Sequence, residues 1–127
     1  MPEKTLYEYA VVRLVPRVER EEFINVGIAL YCRKYRFAKM VYAVDEQKVR
    51  ALCPKIELEL IENHLSSFQR ICNGDKGAGK LAALDITERF RWLTAKRSTV
   101  IQCSASHPGL CEDPEATLQN LFERLVL

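Results

Sequence analysis

The sequence has no apolar run approaching the roughly 18 residues that a membrane-spanning helix requires, which argues against a helical membrane protein. It has no CxxC pair. Its five cysteines, Cys32, Cys53, Cys72, Cys103 and Cys111, are odd in number and far apart, which speaks for reduced thiols over a disulfide framework or a ribbon-type zinc site. No long Lys/Arg run occurs, and the net charge is only +2 with a pI near 8.3, so nucleic acid is permitted as a partner but not implied. The opening MPEKTLYEYA carries an early acid and no apolar signal core, which points to the cytoplasm. Repeats, linkers and low-complexity stretches are also missing, so residues 1–127 are expected to form a single domain.

What is present is enough for a core: 127 residues, 48% hydrophobic and 28% charged, suit one compact α+β domain that closes without staples. LYEYAVVRLV, from Leu6 to Val15, is rich in aromatic and β-branched residues and stops at Pro16, as a strand does. A charged PRVEREE turn then leads into FINVGIALYC. Strict alternation there places Ile24, Val26, Ile28, Leu30 and Cys32 on one side and Phe23, Asn25, Gly27, Ala29 and Tyr31 on the other. FAKMVYAV reads as a third strand, and short links favour an antiparallel N-terminal meander.

Helices follow. Asp45 opens a short helical turn toward Cys53-Pro54. Ile56, Leu60, Ile61, Leu65, Phe68, Ile71 and Cys72 recur at helical spacing and predict a helix that lays this stripe on the sheet and stops at Asn73-Gly74. Asp85-Ile86-Thr87-Glu88 resembles a capping box opening a helix with Phe90 and Leu93, anchored by Trp92. STVIQCS, Ser98 to Ser104, reads as a fourth strand that SHPGL breaks. Asp113 as N-cap, Pro114 at the first position and the stripe Leu118, Leu121, Phe122 and Leu125 define a final helix. The expectation is a mainly antiparallel sheet of about four strands, the meander plus a later strand, packed with about three to four helices.

No complete catalytic or metal motif appears, and no cofactor is implied. Gly74-Asp75-Lys76-Gly77-Ala78-Gly79-Lys80 fits a phosphate loop only as far as its lysine. Leu81 stands where Ser or Thr should hold magnesium, and the loop follows a helix instead of a strand. Cys103, His107 and Cys111 lie four apart, but a fourth ligand is not evident, so no metal is expected. His64 belongs to the helical stripe and reads as a core or boundary residue. Ser66 and Ser67, beside it on the same helix, point away from it and make no nucleophile and base pair.

The start of the second strand differs in kind. Asn25, Gly27 and Ala29 leave room above the sheet, Arg13 should approach Asn25 across the meander, and the turn supplies Arg20 and Glu22. Two readings follow: a ligand site, or a turn clamp with an Arg20–Glu22 ion pair and an Asn25 that serves turn backbone groups.

The Tyr-rich first strand, Arg20-x-Glu22-x-x-Asn25-x-Gly27, RWLTAKRSTVIQCS and Asp113-Pro114 with its Leu/Phe helix together resemble a bacterial family, domain of unknown function 3037, over nearly the whole chain. The resemblance implies a small stand-alone cytoplasmic protein, often encoded beside a kinase of the high-persistence toxin type and so an accessory partner or regulator. Its polar pattern falls on Arg20, Glu22, Asn25 and Gly27, and on Arg97, Ser98 and Gln102. These residues and Arg13 are the candidate binding set. The expected function is a non-catalytic binding module for a protein partner. The alternative is a pocket of Arg20, Glu22, Asn25 and Arg97 for a phosphate-bearing small molecule or nucleic acid, with Glu22 as its only acid/base group.

Overall fold

The computed structural model describes residues 3–127 and resolves the expected α+β architecture around one antiparallel sheet. The strands β1 (Thr5–Leu14), β2 (Ile24–Cys32) and β3 (Phe37–Tyr42) form the meander. The helices α1 (Glu46–Leu52), α2 (Leu58–Asn73) and α3 (Ile86–Thr94) come next. β4 (Ile101–Cys103) and β5 (His107–Cys111) then both pair with the free side of β1, and α4 (Pro114–Leu125) closes the chain. Among the described residues no helix is long and apolar enough to cross a membrane.

The expected helix signals act as caps. Asp45 accepts hydrogen bonds from the Gln47 and Lys48 amides at the start of α1, Asp85 from the Thr87 amide at α3, and Asp113 from the Ala116 amide at α4. Each satisfies a backbone donor that the helix cannot. Gly74 ends α2 in the left-handed region, with φ of 71°, and the Arg89 guanidinium lies against it where a Cβ would sit.

Helices cover both faces of the sheet. On one, α2 and α3 bury Leu65, Phe68, Phe90 and Leu93 against Val12, Leu14, Ala29 and Tyr31. On the other, Leu118 and Leu121 of α4 pack on Val11, Ile28, Leu30 and Cys32. Leu60, expected on the α2 stripe, is exposed instead.

Alternation fails at the start of β2. Val12 opposes Gly27, but Arg13 opposes Asn25, so Val26 is an extra residue in a β-bulge. The bulge moves Ile24 and Val26 onto the α2 and α3 face and sends Asn25 to the α4 face, correcting the expected grouping. Gly27 is explained here. A Cβ on it would lie 2.6 Å from the Val41 carbonyl oxygen and 3.1 Å from the Tyr42 Cβ, so the sheet itself fills the space expected above this residue.

The fourth strand is shorter than Ser98 to Ser104, and SHPGL does not end the pairing. Register slips by one residue between the Val12–Cys103 pair and the Tyr9–His107 pair, so β4 and β5 are two halves of one broken edge strand. Ser104 bridges the break: its hydroxyl accepts from the Val11 amide at 2.9 Å, and its amide donates to the Val11 carbonyl at 2.8 Å. Val11 thus turns its polar groups toward this strand, and alternation places those of Pro108 on the outer edge. There a missing N–H costs no ladder bond and discourages a further strand. The opposite edge is blocked by α2, where the Asn73 side chain accepts from the Met40 amide and Gln69 donates to its carbonyl.

Candidate functional site

The chain leaves β1 at Val15 and Pro16 close to where it enters β4. A cleft of about 640 Å³ opens there, lined by Arg13, Val15, Val18, Glu21, Phe23, Thr94, Lys96, Arg97, Ser98, Gln102, Cys103, Ser104 and Ala105. Of the eight candidate residues, Arg13, Arg97, Ser98 and Gln102 meet in this cleft. They do so because β4 lies beside β1, with Gln102 directly opposite Arg13.

The other four do not join them. Arg20 and Glu22 form an exposed ion pair beside a separate hollow of about 290 Å³ with Arg17 and Leu52. Asn25 borders a third hollow with Val126 and Leu127, and its amide nitrogen donates to the Leu125 carbonyl at 3.0 Å, holding the end of α4. Gly27 serves the bulge. Arg13 does oppose Asn25 as expected, yet the set Arg20, Glu22, Asn25 and Arg97 is divided over three hollows and forms no single pocket.

Within the main cleft four polar side chains, those of Thr94, Arg97, Gln102 and Ser104, already have work. Arg97 wraps back over the end of α3, donating to the carbonyls of Leu93 at 2.7 Å and Trp92 at 2.6 Å, and lies 4.5 Å from the Trp92 ring centre. It satisfies carbonyls that the helix leaves open and sets a cation at the negative end of the helix dipole. Thr94 donates to the Phe90 carbonyl, and the Gln102 amide to the Thr99 carbonyl. Ser104 is held by the ladder.

Arg13 is different. Among the described residues its side chain makes no hydrogen bond or ion pair, and its Nε is buried without a partner. Its guanidinium lies 4.1 Å from the centre of the Phe23 ring, which is 46% exposed. The aromatic face attracts the cation and fixes its plane. Cys103 lies within the influence of both arginines. Burial pushes its thiol up to about 11, and the nearby Arg97 and Arg13 charges only partly offset this, so it is protonated at neutral pH and a poor nucleophile.

The remaining sequence candidates are scattered. Among the described residues no group of three His, Cys, Asp or Glu side chains is placed to hold a metal. Cys103 packs toward α2 and α3, Cys111 lies under α4, and the His107 ring lies tilted against Tyr9 at 5.3 Å. His64 meets Phe68 edge-on at 4.8 Å, and burial lowers its pKa.

Sequence reading missed Phe23, Lys96 and Glu21 as cleft residues. An aromatic beside a charged turn was the available signal for Phe23, while Lys96 shared the basic step with Arg97. It also missed a second cleft, of about 610 Å³, at the other end of β1. There Arg91 of α3 grips Glu8 with two hydrogen bonds, at 2.9 and 2.7 Å, and the Ser106 hydroxyl donates to the same carboxylate. These contacts join residues more than eighty positions apart, and no local pattern announces them.

Searches among curated proteins and among solved structures returned no match. A family model described as a protein of unknown function, DUF3037, matches residues 9–126, which span the cleft, both halves of the edge strand and all of α4. The chain belongs to the DUF3037 family.

Proposed function

We propose that the protein is a non-catalytic accessory module that engages a protein partner through the cleft between the end of β1 and the start of β4. The partner in this reading is a kinase resembling the high-persistence toxin type, the association that the family resemblance implies. The observation that carries the reading is the chemistry of the cleft lining. It combines an exposed aromatic platform, Phe23, with cations and hydroxyls and a single rim carboxylate, Glu21. Such groups recognise well and move protons poorly, since an acid and base pair needs two groups with divergent pKa values. An aromatic and an arginine in contact are also the residue types enriched at the centres of protein interfaces.

Co-expression with a kinase of that type from the same genome tests this. The two chains are expected to co-elute in size-exclusion chromatography. Phe23→Asp and Lys96→Glu, both on the cleft, are expected to separate them while leaving the circular dichroism spectrum unchanged. Independent elution of the unaltered chains, or co-elution unaffected by both substitutions, would contradict the reading.

A further inference from the structure

We propose that Arg13 is a carboxylate-recognition residue, taking an Asp or Glu side chain from an acidic segment of the partner while its flat face stays on Phe23. The proposal rests on the cleft being a protein-binding site, and adds the chemistry of what enters it.

Four features converge. The fold supplies no acceptor to the Arg13 guanidinium: its Nε is buried without a partner, and its two terminal nitrogens, which reach the cleft, are the donor fork that a carboxylate meets. The Phe23 ring orients that fork before any ligand arrives, which reduces the ordering that binding requires. Lys96 makes no ion pair among the described residues, and Arg97, although committed to the end of α3, keeps its charge beside the cleft, so the local field favours an anion. Glu21 on the rim sets a limit to that field. A second negative charge on the ligand would face it, so a monoanionic carboxylate fits better than a phosphate dianion.

The experiment uses the full chain labelled with nitrogen-15, observing the Arg13 Nε–H resonance. The probes are a short Glu-rich peptide, the same peptide with Gln in place of Glu, and inorganic phosphate. The Glu peptide is expected to move the Arg13 resonance to saturation, and the Gln peptide to leave it in place. Arg13→Met keeps the apolar stem on Phe23, and should retain the spectrum of a folded protein while weakening the Glu peptide roughly tenfold or more. Should Arg13→Met not fold, Arg13→Lys keeps the charge but loses the fork, and should weaken the peptide about threefold or more. The proposal is overturned by an unmoved Arg13 resonance, by undiminished affinity in the folded variant, or by phosphate binding more tightly than the Glu peptide. If the Glu peptide titrates Arg13 while the kinase complex ignores Phe23→Asp and Lys96→Glu, the choice of partner is wrong and the carboxylate site stands.

Discussion

The two ends of β1 each carry a cleft of similar size, about 640 Å³ at Arg13 and about 610 Å³ at Arg91, and each is lined by an arginine. Their circumstances are opposite. Arg91 has both arms on the Glu8 carboxylate, so its charge is met within the protein itself. Arg13 has an aromatic ring beneath it and no acceptor in front of it. Arg97 shows a third case, a cleft arginine whose donors close a helix end. The lesson is that a basic residue in a hollow says little about binding until its donors have been accounted for.

Substitutions can break this comparison in order of expected effect. Arg97→Ala strips the partners from the carbonyls ending α3 and removes the cation above Trp92, and is expected to cost about 3 kcal/mol in urea denaturation. A loss below about 1 kcal/mol would return Arg97 to the binding set. Gly27→Ala drives a Cβ into the Val41 carbonyl and is expected to cost about 2 kcal/mol, because backbone on the neighbouring strand must give. A neutral result would mean that the bulge shaping the Arg13 end can relax.

Arg91→Ala should cost about 1 kcal/mol or less, since the pair is partly exposed and screened. The loss should depend on pH. The Arg91 hydrogen bonds hold the Glu8 carboxyl below its ordinary value of 4.5, with a smaller contribution from Ser106, while burial opposes them. The folded state therefore binds that proton less readily than the unfolded chain. The stabilisation is full above the unfolded pKa and fades as pH falls through the depressed folded value. Denaturation curves of the two proteins should differ at pH 7 and converge as pH falls through the depressed folded value of Glu8; a difference independent of pH would assign the effect to packing.

The helices were the legible part of this fold. Three Asp N-caps and a Gly stop each correspond to a specific unmet backbone group, and α2 and α4 show their apolar stripes directly. The bulge was not legible, because one extra residue changes the face of Ile24 and Val26 without changing composition. Pro108 and Gly109 read as breakers because sequence does not reveal which side of a strand lacks a neighbour. On an open edge the missing donor is harmless, and Gly109 gives the Tyr7 ring its place. For the candidate site, sequence placed Arg13 and Arg97, which line one cleft, in the same set, but not their separate circumstances. Arg97 carries the same charge as Arg13, and only its hydrogen bonds to Trp92 and Leu93 separate a helix cap from a free guanidinium.

The most direct test of the central claim is the unfolding free energy of Arg13→Met, measured by urea denaturation beside the unaltered protein at pH 7. An arginine that holds no structure gives up no hydrogen-bond acceptor when replaced, and Met exchanges the cation–ring contact with Phe23 for a sulfur–ring contact of similar size. The variant is therefore expected to be as stable as the original, within about 0.5 kcal/mol, or more stable because the unpartnered donor is gone. A loss of about 1.5 kcal/mol or more would show that Arg13 holds the fold as Arg97 does, and would contradict its availability for a ligand.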